Sequence, residues 1–278
     1  MIPNAKHQGF SEQKWPTGLI RRVQAQSAHE EFMRDFPGHD AAMLKITTVE
    51  TLLRHRGQIR DTYFPDDFSV ITSGVIHDDE LKELRWKQER NAVEAFGPDY
   101  HIPTDYPVYG NMEKEDRIAN IEKMMEGTEW MYEQLSDTPI RILPLVKGYS
   151  PEERAICYET LDKLGIQYCA YYGSQYFGGE MGNGVNRLNE DVREAVSKPG
   201  IDGMLLIGLQ AKSGLSKMPP EVVAAAGQRW IGQSGMRDVP IPAAQKRYLR
   251  WRDSVEESLG RGTATLDSFI DSEAMVHG

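Results

Sequence analysis

The sequence contains little cysteine, no long apolar run and fewer basic than acidic residues, and each shortage excludes a class of protein. Two cysteines, Cys157 and Cys169, are too few for a disulfide framework or a four-cysteine zinc site. No apolar segment approaches the ~20 residues that a membrane helix needs, and the mean hydropathy is -0.54. The first ten residues lack the apolar stretch of a secretory signal. We therefore expect a soluble, cytoplasmic protein with no membrane partner.

The charge balance is acidic, with 42 acidic residues against 32 basic ones and a net charge of -10. This balance disfavours non-specific binding to nucleic acid, which is driven by neutralisation of phosphates. Local basic segments remain, and Arg21 and Arg22 form one of them. The last predicted helix interleaves cations with aromatic residues that could stack on bases. Its candidate nucleic-acid contacts are Lys246, Arg247, Arg250 and Trp251. A helix with solvated arginines is the simpler alternative.

The hydrophobic pattern alternates between strands and helices along most of the chain. Strands are predicted at residues 20–25, 41–47, 68–72, 100–104, 141–146, 166–172 and 204–209, with an extended segment at 229–233. Helices are predicted at residues 49–56, 78–96, 115–135, 151–164, 190–197, 220–226 and 243–259. Such alternation is typical of a parallel sheet covered by helices.

The length of 278 residues is close to the ~250 residues of a (β/α)8 barrel. We therefore predict an α/β fold, a TIM-type (β/α)8 barrel, in a single domain over residues 1–278. The segment before residue 40 is the least clearly patterned. A doubly wound open sheet is the alternative, but it usually places a glycine-rich ligand loop after its first strand, where this sequence has none.

In a barrel, functional residues collect at the carboxyl ends of the strands. Candidates that follow predicted strands are Ser73, Gly74, His77, Asp78, Asp79, Asp105, Lys147, Gly148 and Asp238, together with the glycine-rich loop 173–184. Simpler interpretations exist: Asp105 could form a turn, the acids after His77 suit a helix N-terminus, and Lys147 could be a surface lysine. The histidines show no metal-binding spacing such as H-E-x-x-H. A metal site from His77, Asp79, His101 and Asp105 stays an alternative without support from spacing.

The order of several short motifs resembles the tRNA-guanine transglycosylase superfamily over roughly residues 68–237. The matching stretches are Thr72-Ser73-Gly74, Gly97-Pro98-Asp99 with Asp105 and Pro107, Val146-Lys147-Gly148, and Gly173 with Gly179-Glu180. Two features depart from the family pattern. The first aspartate of the D-S-G motif is Thr72 here, and residues 227–237, where the family's late nucleophile should fall, contain no acid.

The resemblance implies a (β/α)8 barrel that exchanges guanine for a 7-deazaguanine through a covalent glycosyl-enzyme. It implies that Asp105 recognises the guanine edge and that an aspartate attacks C1′, for which Asp238 is the nearest acid. The implied pocket residues are Thr72, Ser73, Gly74, Lys147, Gly148, Gly173 and Gly179. The C-terminal zinc motif of tRNA-acting members is absent, so the resemblance favours the branch that modifies DNA with a base such as preQ0.

No cofactor is implied, and the expected partners are nucleic acid, DNA rather than tRNA, and a 7-deazaguanine base. A homo- or hetero-oligomer is compatible with the sequence. Two alternatives remain open at this point. One is a non-catalytic, base-binding subunit of such an enzyme, and the other is a metal-dependent (β/α)8 hydrolase or lyase.

Overall fold

The computed structural model describes residues 15–37, 39–177, 184–198 and 200–260, and in them nine strands form one sheet. The strands are β1 (Gly18–Val23), β2 (Asp40–Lys45), β3 (Phe68–Ser73), β4 (Tyr100–Ile102), β5 (Arg141–Ile142), β6 (Leu145–Val146), β7 (Tyr168–Tyr172), β8 (Gly203–Ile207) and β9 (Val222–Gly227). Their order across the sheet is β5-β4-β3-β2-β1-β9-β8-β7-β6. Every neighbouring pair is parallel, so all carboxyl ends lie at one edge.

Helices connect most of the strands. They are α1 (Ser27–Arg34), α2 (Ile46–Thr51), α3 (Arg60–Tyr63), α4 (Asp78–Glu83), α5 (Trp86–Phe96), α6 (Lys114–Gln134), α7 (Pro151–Leu164), α8 (Val185–Val196), α9 (Lys212–Leu215), α10 (Arg229–Ser234) and α11 (Ile241–Glu256). None of these described helices combines the length and apolar composition that crossing a bilayer requires. The α/β fold with a parallel sheet agrees with the sequence prediction.

The sheet is curled, and its two end strands are neighbours in the chain. Strands β5 and β6 are at opposite ends of the strand order, yet only Leu143 and Pro144 separate them in the chain. The Leu143 N–H donates to the His101 carbonyl oxygen at 2.8 Å, and the Pro144 carbonyl oxygen accepts from the Ala170 N–H at 2.9 Å. The architecture is therefore of the TIM-like kind, with helices packed against a curled parallel sheet.

Alternate residues of the strands enter different hydrophobic clusters because successive side chains point to opposite faces. In β2, Met43 belongs to one cluster and Leu44 to another. The second cluster contains Phe32 of α1, Trp230 of α10 and Tyr248 of α11. Burial on both faces is typical of parallel sheets, and it leaves the edge at the carboxyl ends as the place for polar chemistry.

Two local predictions near the end of the chain were wrong. Residues 220–226 were predicted as a helix but form β9, which pairs with both β8 and β1. Its alanines favour helix in isolation, but pairing on both sides overrides that preference. Residues 229–233 were predicted as extended but begin α10, where the buried Trp230 indole N–H donates to the Arg22 carbonyl oxygen at 3.1 Å. So short an apolar segment shows no reliable period.

Two other predictions need smaller corrections. The helix predicted at residues 78–96 is divided into α4 and α5, because the chain is extended at Leu84 and Arg85. The strand predicted at residues 141–146 is interrupted at Leu143 and Pro144, as a proline with no N–H to donate would cause. The remaining predicted strands and helices are present, with boundaries that differ by a few residues.

Candidate active site at the carboxyl ends of the strands

Asp105 and Lys147 form a buried ion pair at the edge of the sheet where the strands end. Asp105 follows β4 by three residues and Lys147 directly follows β6, so the parallel strands bring both to this edge. Lys147 Nζ lies 2.8 Å from Asp105 Oδ1 and 2.7 Å from Oδ2, and it also donates to the Tyr106 carbonyl oxygen at 2.9 Å. Asp105 and Lys147 are 5% and 3% exposed. Two residues that the sequence placed in one pocket are therefore in direct contact.

The Asp105 carboxylate keeps hydrogen-bonding capacity in this environment. Burial raises its pKa, the Lys147 ammonium opposes that rise, and the charge of Asp78 adds to it. Oδ1 accepts from both Lys147 and the Tyr106 N–H, which lies 2.8 Å away. Oδ2 accepts only from Lys147 among the described residues, so one of its lone-pair positions is open. A buried carboxylate with a shifted pKa at a strand end marks a candidate functional site.

Two tyrosines and a second carboxylate surround the pair. Tyr172 ends β7, and its ring centroid lies 5.0 Å from Lys147 Nζ. Tyr109 belongs to the loop that carries Asp105, is 45% exposed, and donates its hydroxyl hydrogen to Asp78 Oδ1 at 2.8 Å. Asp78 is the first residue of α4 and half-buried. The site therefore combines two carboxylates, one ammonium and aromatic surfaces.

Gly74 connects the loop after β3 to the loop that carries Asp105. Its N–H donates to the Ile102 carbonyl oxygen at 2.7 Å, and its carbonyl oxygen accepts from the Asp105 N–H at 3.4 Å. A Cβ atom at Gly74 would lie 2.6 Å from the Thr104 backbone nitrogen. The neighbouring Ser73 is buried, and its hydroxyl oxygen accepts from the Val75 N–H at 3.1 Å. In the structure, both residues shape the loop that supports Asp105.

We expect Gly74→Ala to destabilise the protein by about 1–3 kcal/mol, as overpacking does, and to weaken any ligand binding at Asp105. The added methyl group must displace the backbone of Thr104, next to Asp105. Gly232→Ala is the matched control, since a Cβ at Gly232 meets nothing within 4 Å. Urea denaturation of the two variants measures the effect. Equal stability of both variants would show that the loop accommodates the methyl group without cost.

Thr72 lies in a buried polar chain that does not include the Asp105–Lys147 pair. Its hydroxyl is 2.9 Å from His101 Nδ1. On the other side of the ring, His101 Nε2 lies 3.3 Å from Glu89 Oε1, and the other oxygen of Glu89 accepts from the Thr104 hydroxyl. Thr72, His101 and Glu89 are fully buried. The chain holds α5 against β3 and β4, so the structure gives Thr72 a supporting position.

The four residues of the metal alternative do not come together. His77 and Asp79 are exposed near the start of α4, where Asp79 pairs with Lys82 at 3.0 Å. His101 contacts Thr72 and Glu89, and Asp105 contacts Lys147. In the part of the chain that the structure describes, no group of three or more histidine, cysteine and acidic residues could hold a metal ion.

The predicted pocket glycines lie near the strand ends, where they permit close packing. Gly148 has a φ of +139° and its carbonyl oxygen accepts from Arg154 Nη1 at 3.2 Å. The Gly173 N–H donates to the Ile207 carbonyl oxygen at 2.9 Å, and a Cβ there would lie 2.9 Å from Leu206 Cδ1. Gly179, with Glu180, lies outside the described residues.

Asp238 and the basic residues of α11 lie apart from the pair. Asp238 is exposed in the turn between α10 and α11, and its N–H donates to the Gly235 carbonyl oxygen at 2.8 Å. No contact among the described residues joins it to Asp105 or Lys147. On α11, three of the candidate nucleic-acid contacts are exposed, and they are Lys246, Arg247 and Arg250. Trp251 is half-buried, with its ring centroid 6.0 Å from that of Tyr248.

One residue of the site, Tyr172, was not singled out by the sequence analysis, and Asp78 was named only among the candidates that follow a predicted strand. Tyr172 is the last residue of the predicted strand 166–172, so its position at a strand end was an available signal. Asp78 was interpreted as a helix N-terminal acid, and only its bond to Tyr109 shows that it faces the site. The assembled groups can accept hydrogen bonds from a planar polar ring and donate hydrogen bonds to it.

A search of protein-family models found no family that matches this chain, and a search of curated proteins found no matching sequence.

Proposed function

We propose that the protein is a guanine transglycosylase that exchanges guanine in nucleic acid for a 7-deazaguanine base. DNA is the proposed substrate in preference to tRNA. The observation that carries the proposal is the buried Asp105–Lys147 pair. Guanine presents the donors N1–H and N2–H next to the acceptors O6 and N7. A carboxylate accepts from the former and an ammonium donates to the latter. The pair therefore offers the complement of two adjacent guanine edges.

The same pair suits the exchange of one base for the other. Guanine and 7-deazaguanine share N1–H, N2–H and O6 and differ at position 7, where the latter has carbon in place of nitrogen. All three Lys147 hydrogens are bonded to Asp105 and Tyr106 without the base, so the base must replace the contacts between Lys147 and Asp105. Asp105 then accepts from N1–H and N2–H, Lys147 donates to O6, and both rings can make these contacts. The Tyr172 ring beside Lys147 adds an aromatic surface, and base–aromatic stacking contributes about 1–3 kcal/mol per base.

We propose further that the curled sheet closes as a (β/α)8 barrel. Counting β5 and β6 as one strand bent at Pro144 reduces the nine strands to eight. This strand pairs with β4 on one side and with β7 on the other. Closure explains why Asp105, Lys147 and Tyr172, which come from three successive strands, meet at one mouth. Barrel enzymes carry their active sites at this end.

In the proposed exchange, a carboxylate oxygen bonds to C1′ of the guanosine as the C1′–N9 bond breaks. Guanine leaves with the electron pair of that bond and takes up a proton. N9 of the incoming base then bonds to C1′, loses its proton and displaces the carboxylate. Division into two displacements is the general logic of nucleophilic catalysis. We assign the carboxylate to Asp78, because Tyr109 connects it to the Asp105 loop and its charge acts on Asp105.

We expect Asp78→Asn to lower base exchange by about 1000-fold or more, since loss of a covalent nucleophile removes most of the rate enhancement. Asp238→Asn should keep activity near that of the wild type, because Asp238 is exposed in the turn before α11. The measurement is transfer of radiolabelled guanine into DNA by each purified variant. Loss of activity in Asp238→Asn alone would move the nucleophile to Asp238.

The experiment that tests the function itself supplies radiolabelled guanine together with DNA or tRNA to the purified protein. Incorporation into DNA supports the proposal. Incorporation into tRNA alone would identify tRNA as the substrate, and incorporation into neither polymer would contradict an active exchange enzyme.

The second candidate function is a base-binding subunit without activity. It is favoured by the sequence after β9, where residues 228–237 contain no carboxylate. Guanine binding without exchange would support that candidate.

A further inference from the structure

A pocket of about 680 Å³ opens at the same edge of the sheet as the candidate active site, at the carboxyl ends of β8, β9 and β1. Its polar lining among the described residues is Arg22, Asn186, Gln210, Ser213, Lys217, Gln228 and Arg229. The described lining contains three cations and no carboxylate, although the whole chain carries a net charge of -10. A local excess of positive charge in an acidic protein indicates that the pocket receives an anion.

Among the described residues, the three cations form no ion pair with an acidic side chain. In the described part of the chain, no ion pair joins a carboxylate to Arg22, Lys217 or Arg229, whereas Arg21 next in sequence pairs with Asp40 at 3.2 Å. Burial lowers the pKa of Arg22. Burial also lowers the pKa of Lys45, and the charge of Arg22 adds a smaller decrease. An anion in the pocket would favour the charged form of Arg22, because an opposite charge nearby opposes the effect of burial.

Hydrogen bonds fix part of the pocket wall. Gln210 is held in place, since its side-chain nitrogen donates to the carbonyl oxygens of Ile20 at 3.2 Å and Ala225 at 3.3 Å. Its side-chain oxygen accepts from the Arg229 N–H at 3.1 Å. A Cβ at Gly227 would lie 2.7 Å from that oxygen, so the close approach requires glycine there. Arg229 is thereby positioned at the rim, while its side chain stays exposed.

Tyr172 is close to the Asp105–Lys147 pair and is affected by the charge of Arg22. Its ring is 5.0 Å from Lys147 Nζ. Burial raises the pKa of its hydroxyl, the charge of Asp105 adds to that rise, and the charge of Arg22 opposes it. A ligand that stacks on Tyr172 with its base at Asp105 would extend its charged group toward Arg22. The guanidinium fork of arginine matches the oxygens of a phosphate.

We propose that this pocket binds a phosphate group, and that the phosphate belongs to the nucleotide whose guanine occupies the Asp105–Lys147 site. The second part rests on the proposed function, and the first does not. In (β/α)8 barrels the loops after the seventh and eighth strands frequently bind phosphate. Strands β8 and β9 hold those places when β5 and β6 count as one strand. The phosphate is either a terminal monoester or a phosphodiester of a polynucleotide chain.

The test compares ligands that differ only in phosphate charge, at low ionic strength. One arm compares the affinities of guanosine and 5′-GMP. The other compares the affinities of two single strands of about five nucleotides with a central guanine, one with ordinary phosphates and one with neutral methylphosphonates next to that guanine. We expect the charged ligand of at least one arm to bind about tenfold more tightly, the equivalent of one charge-assisted hydrogen bond. Arg22→Gln and Arg229→Gln should each remove most of that advantage and leave guanosine binding unchanged.

Arg34→Gln is the matched control, because Arg34 is an exposed arginine of α1 that pairs with Glu30 at 3.6 Å. A gain with 5′-GMP alone identifies a monoester site, and a gain with the oligonucleotide alone identifies a phosphodiester site. No gain in either arm, or an equal loss in Arg34→Gln, overturns the proposal. Arg229→Gln keeps the test valid if Arg22→Gln fails to fold, because the Arg229 side chain is exposed.

A separate measurement distinguishes this proposal from the proposed function. Inorganic phosphate alone should raise the melting temperature relative to chloride of equal ionic strength, because a ligand that binds the folded state stabilises it. Arg22→Gln and Arg229→Gln should lose that shift, while Arg34→Gln keeps it. A phosphate shift without guanosine binding leaves the pocket standing and contradicts the transglycosylase. If guanosine binds but phosphate raises neither the melting temperature nor the affinity, the phosphate pocket is contradicted and the transglycosylase proposal stands.

Discussion

Asp105→Asn is expected to weaken guanine binding by about 100-fold, since a hydrogen bond to a charged group contributes about 1.5–3 kcal/mol. The amide keeps the size of the carboxylate but places an N–H₂ donor against the N–H donors of the base. The same substitution leaves the Lys147 ammonium buried beside a neutral group, with the side chain 4% exposed. Removal of one partner of a buried pair costs about 3–5 kcal/mol of stability, so binding and folding must be measured together.

The double variant Asp105→Asn with Lys147→Met separates these two effects. It removes both charges, and replacement of a buried pair by neutral groups is often close to neutral for stability. We therefore expect the double variant to regain most of the lost free energy of unfolding and still to lack guanine binding. Isothermal titration with guanine and urea denaturation give the two readouts. Wild-type affinity in either variant would show that Asp105 is not the group that binds the base.

Asp40→Asn is expected to lower the free energy of unfolding by about 3–5 kcal/mol, because it leaves a buried arginine without a counter-charge. The Arg21 side chain is fully buried and pairs with Asp40 at 3.2 Å. Around the guanidinium lie five aromatic rings with centroids at 4.2–5.9 Å, from Phe32, Phe36, Phe68, Trp230 and Tyr248. Such rings attract a cation, but they cannot replace the carboxylate.

Asp253→Asn is the control for Asp40→Asn. Both carboxylates contact Arg252, Asp40 at 3.3 Å and Asp253 at 3.2 Å, but the Asp253 side chain is 66% exposed. Exposed ion pairs contribute about 0–1 kcal/mol, so this variant should unfold almost as the wild type does. Urea denaturation of both variants at one pH makes the comparison. A loss below about 1 kcal/mol for Asp40→Asn would mean that the aromatic cage alone accommodates Arg21.

The different surroundings of Arg21 and Arg22 could not be predicted from the sequence. The two arginines form one basic segment in the sequence, yet neighbouring residues of a strand face opposite sides of the sheet. Arg21 enters the aromatic cage and pairs with Asp40, whereas Arg22 lines the anion pocket. Only the pairing of β1 with β2 and β9 determines which arginine faces which side.

The parallel α/β fold could be predicted because long strand and helix patterns alternate along the chain. The contact between Asp105 and Lys147 followed in outline from the rule that strand ends meet at one edge. Asp78 was among the candidates that follow a predicted strand, but its role could not be predicted, because an acid at a helix start has a sufficient local explanation. Residues 220–226 were misread for a related reason, since alanine-rich segments favour helix until sheet pairing on both sides decides otherwise.

The most direct test of the central claim is mass spectrometry of nucleosides from cells that express the protein and receive preQ0. DNA and tRNA are digested separately, and cells expressing Asp105→Asn serve as the control. The account predicts a 7-deazaguanine nucleoside in DNA from cells with the wild-type protein and its absence from the Asp105→Asn cells. Absence of the modified nucleoside from both polymers, with the wild-type protein folded, would contradict the proposed base exchange.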